Sequence, residues 1–413
     1  MNGIDRIVIA GAGHAGGSVC RALRAEGYEG SLTLIGEENY PPHERPPLSK
    51  SVLTGAEEPE STFFLTAETL TELSVDFRFG DSVDSIDRHA RTVTCRSGDR
   101  LAYDRLVLAT GSTVRRLSSP GSDHPAIHYL RTIDDSLALR TALQQARRLV
   151  VVGGGWIGLE VAAAARKMDV NVTILEAADR LCARAVPAFV SDHLAKLHER
   201  NGVDLRLNAA LEGFEPQEGD RVTARLASGK TLPADVVVVG IGVLPNDGLA
   251  RDAGLPVENG ILTDACGRTD DPAVFACGDV TNQDNSVLGR RVRLESWANA
   301  QNQSAATAQA VLGLEAAYDD VPWFWSDQYD MNLQILGVPP QWGDPIVRGD
   351  GDAYSAFFLK DGKIEAVIAI NTARDLMIAR RLIQAGATVD ADRLTDTGTK
   401  LQDILRQARQ SGA

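Results

Sequence analysis

Two stretches of the chain place glycines where a backbone must come close to a ligand: Gly11-Ala12-Gly13-His14-Ala15-Gly16 and Gly153-Gly154-Gly155-Trp156-Ile157-Gly158. A strand that ends in G-x-G-x-x-G lets the chain turn tightly, lets its backbone approach a pyrophosphate, and brings the next helix close against the sheet. That helix then offers phosphates its first N–H groups and the positive end of its dipole. An acidic residue at the end of the following strand accepts hydrogen bonds from ribose hydroxyls, and Glu37 stands 21 residues after Gly16, Glu176 18 residues after Gly158. One such turn is a modest signal in any α/β protein. Two, each with its own carboxylate, point to two dinucleotides in one chain, and the natural pair is a flavin and a nicotinamide, because hydride transfer needs a donor and a resident acceptor.

The elements that must position these residues are legible around them. Ile7-Val8-Ile9-Ala10 reads as a strand, the Ala/Leu-rich segment to about Glu26 as a helix, and Leu32-Thr33-Leu34-Ile35 as a second strand. The same order returns in Leu149 to Val152, a helix through about Met168, and Val172-Thr173-Ile174-Leu175-Glu176. Two βαβ units follow, each the opening of a parallel sheet. Leu106 to Ala109 before Thr110-Gly111, and Val236 to Val239 before Gly240-Ile241-Gly242, read as further strands covered on both faces. A helical stretch from about Glu295 to Val311 precedes a boundary near Asp319 to Pro322. Beyond it come aromatics, hairpin-like runs at Tyr354 to Leu359 and Ile364 to Ile370, and helices from Thr372.

Composition narrows the class further. The 413 residues carry 42 Lys+Arg against 56 Asp+Glu, a formal charge of −14, which argues against nucleic acid as a partner while leaving room for local basic patches. Cys20, Cys95, Cys182, Cys266 and Cys277 form no C-x-x-C pair and no cluster with histidine, so neither a zinc site nor a paired redox motif is expected, and reduced, buried thiols are. No run of about 18 apolar residues occurs and no basic segment leads into an apolar one at the start, so a cytoplasmic protein without a membrane span is expected.

The chain resembles the two-dinucleotide flavoprotein reductases, and within them the ferredoxin reductases that serve bacterial oxygenases. The resemblance rests on the Gly11/Gly13/Gly16 turn, Arg45-Pro46-Pro47-Leu48-Ser49-Lys50, Ala109-Thr110-Gly111, the second turn running on to Glu160, Gly240-x-Gly242-x-x-Pro245-Asn246, Gly278-Asp279, and Glu295-Ser296-Trp297. It implies an α/β protein of glutathione reductase-like architecture. Residues 1–113 and 246–322 would form a discontinuous FAD-binding domain, residues 114–245 an NAD-binding domain, and residues 323–413 a C-terminal α+β domain. FAD would lie on Gly11, Gly13, Ala15 and Gly16, with its ribose on Glu37. Arg45, Lys50, Val83, Ala109, Thr110, Gly111, Arg131, Gly278, Asp279 and Trp297 would complete its site. For Val83 an ordinary sheet role serves as well, and for Asp279 a helix cap does. Gly153, Gly155, Ile157, Gly158, Glu160, Glu176, Arg184 and Gly242 would hold NAD. Lys50 and Glu160 flank the hydride-transfer site in the resemblance, Lys50 favouring a negative reduced flavin and Glu160 orienting the carboxamide. His14, between the glycines, is assigned no chemistry.

The disulfide reductases of the wider superfamily carry a C-x4-C pair soon after the position of Gly36, and related peroxidases carry a lone cysteine there. This chain has Pro41-Pro42-His43-Glu44-Arg45-Pro46-Pro47 instead. Its flavin would then deliver single electrons directly to a protein, and the resemblance implies a [2Fe–2S] ferredoxin feeding a Rieske oxygenase or a cytochrome P450. Arg290, Arg291, Arg293, Arg374, Arg380 and Arg381 are candidates for a basic docking patch near the flavin edge, with Trp325 beside it. A monomer or weak homodimer is expected. A reductase for rubredoxin or a quinone-type acceptor is one alternative, and a redox-sensing flavoprotein like the apoptosis-inducing factors is another. Glu176 also predicts NADH over NADPH, since its carboxylate would repel a 2′-phosphate, although Arg180 and Arg184 lie just beyond it. Glu176→Arg should therefore raise the KM for NADH and weaken discrimination against NADPH in steady-state assays; an unchanged preference would put the ribose site elsewhere.

Overall fold

The computed structural model describes residues 3–411 and divides them into two compact units. Of the described residues, the first unit comprises 3–43, 64–112 and 245–411. At its centre the strand Arg6–Ala10 lies between two parallel neighbours, Ser31–Gly36 and Arg105–Leu108. Val75–Phe79 and Val274–Ala276 extend the sheet to five strands. Successive residues of the central strand serve opposite faces, which is why its apolar run is unbroken. Ile7 and Ile9 pack with Val19 and Leu23 of the helix His14–Ala25 and with Ala308 and Val311 of the helix Trp297–Val311. Val8 and Ala10 pack on the other side with Leu106, Leu108 and Val93, the last from a three-stranded antiparallel sheet built of Val83–Asp87, Thr92–Cys95 and Arg100–Ala102.

The same unit contains a five-stranded antiparallel sheet in the order Trp323–Gln328, Met331–Leu336, Lys363–Ile370, Ala353–Lys360, Ile346–Asp350. Helices Ala373–Gln384, Ala391–Thr395 and Leu401–Ser411 pack on it through Leu376, Leu382, Leu394, Leu401 and Ile404. The hairpin 353–370 and the helix after Thr372 follow the sequence expectation. The aromatic stretch from Trp323 is also a strand, which its crowding of large side chains hides from a simple alternation test. Arg348 ties the loop between the last two helices down, donating to the carbonyls of Leu394, Asp396, Thr397 and Thr399.

The second unit comprises residues 44–63 and 113–244. Its parallel sheet runs Asp204–Arg206, Asn171–Leu175, Arg148–Val152, Val236–Val239, Ile127–His128, with Arg148–Val152 in the centre as Arg6–Ala10 is in the first. A three-stranded antiparallel sheet, Leu211–Gln217, Arg221–Leu226 and Thr231–Ala234, supplies Phe214, Val222 and Ala224 to a core shared with Val150, Val152 and Val237. Residues 44–63 cluster with this unit. The reason is local: Ser136 Oγ donates to the Leu48 carbonyl at 2.7 Å, Arg140 donates to the Val52 carbonyl at 3.5 Å, and Lys50 pairs with Glu160.

Gly11 has φ +114°, and a Cβ there would collide with the Ala109 carbonyl oxygen. Gly27 has φ +79° but open space around it. Gly27→Ala should cost only the backbone term, about 1 kcal/mol. Gly11→Ala adds a steric conflict and should cost about 2–4 kcal/mol. Urea unfolding of the apoprotein checks this; equal losses would show that the turn yields at no cost.

Candidate functional site

In the first unit the glycine turn is built by contact. A Cβ on Gly16 would strike the Gly11 carbonyl, so the helix starts hard against the turn it follows. Gly13 precedes the helix in an extended conformation and no side chain caps that end, which leaves its N-terminal N–H groups to a ligand. Ala15 and Gly278 meet: a Cβ on Gly278, whose φ is +78°, would sit 2.8 Å from the Ala15 Cβ. Asp279 follows within the short 3-10 helix Gly278–Val280, and its carboxylate accepts from Ser112 Oγ at 3.2 Å. Cys277, not Asp279, is the residue that precedes that helix, so a capping role for Asp279 is set aside.

The loop Ala109-Thr110-Gly111 is fixed by Asn246, whose side chain donates to the Thr110 carbonyl at 2.8 Å and whose backbone N–H donates to the Gly111 carbonyl at 2.9 Å. Thr110 Oγ1 returns a bond to the Asn246 carbonyl at 2.8 Å. Glu37 lies at the surface after the second strand, its side chain 72% exposed and paired with Arg96 at 3.1 Å. Val83 opens a strand opposite Cys95 and is half-buried against the core there. Trp297 is the first residue of its helix, behind the cap Ser296. Its ring lies 5.0 Å from the His14 ring and 5.8 Å from Trp325, which stacks on Trp323 at 4.9 Å.

The second unit repeats the first cradle. Gly153 has φ +107°, and a Cβ there would lie 2.5 Å from the Gly240 carbonyl oxygen; one on Gly158 would strike the Gly153 carbonyl. Gly155 opens the helix Trp156–Lys167 with no side-chain cap, and Ile157 in its first turn is 44% exposed. Glu176 accepts from the backbone N–H groups of Gly154 and Ala178, each at 2.7 Å, one per carboxylate oxygen. These bonds fix its orientation and leave lone pairs on both oxygens. Arg184 lies over Gly242, its guanidinium 3.6 Å from where a Cβ would be. Arg180 donates to the carbonyls of Val186 and Ala183 and to Ser191 Oγ within its own loop.

Between the 3-10 helix Pro46–Ser49 and the helix Trp156–Lys167, Lys50 Nζ pairs with Glu160 Oε2 at 2.8 Å, and Ser49 Oγ donates to the same oxygen at 2.5 Å. Glu160 is only 5% exposed. Arg45 donates to the Arg131 carbonyl, and the Arg131 N–H donates to Asp135 at 3.0 Å. Arg45, Lys50 and Arg131 thus group together in the second unit, while the other flavin-side candidates group in the first. Sequence reading passed over Ser49, although it lies inside the Arg45–Lys50 segment; nothing in its type or spacing separates it from any loop serine.

Residues 5–304 match the family described as pyridine nucleotide-disulphide oxidoreductase, and residues 323–405 match the one described as reductase C-terminal. The chain belongs to the pyridine nucleotide-disulphide oxidoreductase family. It is 44% identical over 404 residues to the anthranilate 1,2-dioxygenase system ferredoxin–NAD(+) reductase component of Burkholderia cepacia, covering 97% of this chain and 99% of the relative. It is 38% identical to a putidaredoxin reductase of Pseudomonas putida, covering 99% of each chain. Its structure is similar to that of the reductase in a covalent putidaredoxin reductase–putidaredoxin complex, with a TM-score of 0.95, 36% identity, and 99% and 100% of the two chains covered.

All five cysteines are buried and unpaired, and burial pushes the thiols of Cys20, Cys182 and Cys277 up to about 12. Such thiols are protonated and inert. The two cradles fit FAD and NADH: each is a turn that a single Cβ would fill, opening onto an uncapped helix end. Among the described residues no cluster could hold a metal ion, and no helix is long and apolar enough to cross a membrane.

Removing one partner of a buried ion pair strands the other. Lys50→Met should cost about 1–3 kcal/mol, and Lys50→Met combined with Glu160→Gln should cost less than the two single losses together. Thermal unfolding of the four proteins measures this, and strict additivity would show that the pair contributes nothing.

Proposed function

We propose that this chain is an FAD-dependent NADH:ferredoxin oxidoreductase that supplies a [2Fe–2S] ferredoxin of an oxygenase system. One observation carries the reading: two dinucleotide cradles occur in a chain whose thiols are all buried and unpaired. Bound FAD supplies the chemistry that the side chains lack, taking up two electrons as a hydride from NADH and giving them up one at a time. With no thiol to receive them, electrons leave for a second protein. The relatives named for ferredoxin reduction cover nearly the whole chain and include both a dioxygenase system and putidaredoxin reductase, so the terminal enzyme is a Rieske oxygenase or a cytochrome P450.

The residues divide the work as follows. Residues 1–113 and 246–322 hold FAD through the Gly11–Gly16 turn, Glu37, Thr110, Asp279 and Trp297; residues 114–245 hold NADH through the Gly153–Gly158 turn and Glu176; residues 323–413 form the C-terminal domain. Glu160, held by Ser49 and Lys50, orients the nicotinamide carboxamide, and hydride transfer asks no proton of it. A basic docking patch rests on Arg374, Arg380 and Arg381 of the helix Ala373–Gln384. Arg290 and Arg291, which donate to neutral backbone carbonyls and keep their charge, would add to it, as would Arg293 beside Glu295. The protein would act in the cytoplasm as a monomer or weak homodimer.

Purified protein loaded with FAD should reduce a [2Fe–2S] ferredoxin with NADH in a saturable reaction that slows as salt rises, since the attraction of unlike surfaces is screened. Rubredoxin and quinones should be reduced slowly and without salt dependence. Faster turnover of either than of any ferredoxin would replace this reading with that of a small-acceptor or rubredoxin reductase.

A further inference from the structure

Gly242 marks a place in the second unit where two cations meet. A Cβ there would lie 3.6 Å from Arg184 Nη2 and 3.8 and 3.9 Å from Arg115 Cδ and Nε, so both side chains close over one glycine, whose φ is +104°. Arg115 is also fixed through its backbone, its N–H donating to the Gly242 carbonyl at 2.9 Å. Arg184 comes from a loop tied to the glycine turn, where the Cys182 N–H donates to the Gly154 carbonyl at 3.0 Å. Both arginines are exposed, and among the described residues neither guanidinium has an ion-pair or hydrogen-bond partner. Their neighbour Arg116 shows the ordinary alternative, lying over the Tyr129 ring at 4.6 Å. Like charges repel and long exposed side chains are free to part, so two that converge with no acid to hold them fit an anion that does.

The sheet indicates which anion. Val236–Val239 runs parallel to Arg148–Val152, so Gly240 to Gly242 leave the sheet at the edge where the Gly153–Gly158 turn stands, and the Gly240 carbonyl closes that turn. Asn171–Leu175 flanks Arg148–Val152 on the other side and runs on into Glu176. Ligands of such sheets lie across the carboxyl ends of the strands. A dinucleotide with its adenosine ribose on Glu176 and its first phosphate on the turn therefore continues toward Gly242 with its second phosphate and its nicotinamide half. Gly242 has only hydrogen on its Cα, which lets a phosphate come close, and a planar guanidinium matches two phosphate oxygens at once.

We propose that Arg115, together with Arg184, binds the phosphate on the nicotinamide side of NADH, so that the pyrophosphate is gripped by two side chains as well as by the backbone of the turn. This rests on the reading that the second unit holds NADH. The test is calorimetric titration of the FAD-loaded protein with AMP, which carries the adenosine-side phosphate alone, and with ADP-ribose, which carries both. Arg115→Gln should bind ADP-ribose about five- to twentyfold more weakly and AMP within about twofold of the native affinity. With ferricyanide as acceptor, the same variant should raise the KM for NADH and leave kcat within about twofold, since a bond made equally in the ground and transition states adds only to binding. Arg116→Gln removes the same charge one residue away and should leave both affinities native. Native ADP-ribose affinity in Arg115→Gln, a parallel loss of AMP affinity, or an equal effect of Arg116→Gln would overturn the proposal. A native protein that binds neither nucleotide would overturn the NADH reading, and this proposal with it.

Discussion

A backbone can touch a pyrophosphate only where nothing larger than hydrogen stands on the turn, and both units of this protein are arranged around that constraint. Gly11 closes onto the Ala109 carbonyl and Gly153 onto the Gly240 carbonyl, each at positive φ and each between the central strand of its parallel sheet and the first helix. The unbroken apolar strands follow from it, because a strand that delivers a turn to a ligand from the middle of a sheet must be covered on both faces. The uncapped helix ends follow too: a serine or aspartate cap would occupy the N–H groups that an anion needs.

Electrostatics are assigned locally within this frame. Two of the carboxylates proposed to meet ligand hydroxyls are fixed by backbone or by a neutral donor, Glu176 by Gly154 and Ala178, Asp279 by Ser112, while Glu37 pairs with Arg96. The carboxylate that is nearly dry, Glu160, has a lysine and a serine on the same oxygen. Thiols are kept out of the chemistry by burial, which raises them beyond reach of neutral pH. The net charge of −14 says little about these pockets, since it sums over the whole sequence while each pocket is set by its own neighbours.

Much of this was legible in the sequence, and the limits are physical. The two βαβ units could be read because glycine spacing and apolar runs are local signals, and helix ends fell within a residue or two, as at Glu26 and Met168. The Lys50–Glu160 pair joins positions 110 residues apart; no local pattern reveals it, and only the family resemblance brought the two residues together. Ser49 and the carbonyl partners of Arg180, Arg290 and Arg291 were hidden for the same reason, because a side chain's partner is a tertiary fact. The strand from Trp323 was missed because three aromatics in four residues mask the alternation that marks a half-buried strand.

The central claim is that electrons enter as a pair and leave singly to a protein, with no thiol between. Anaerobic titration of the FAD-loaded enzyme with NADH, followed by oxidised ferredoxin, tests it through the flavin and iron–sulfur absorbance. The account requires that one NADH bleach one flavin and that two ferredoxins then be reduced as the flavin colour returns. Uptake of a second NADH before ferredoxin is added would contradict it, because a further two-electron store would have to exist in a chain whose cysteines are buried and unpaired.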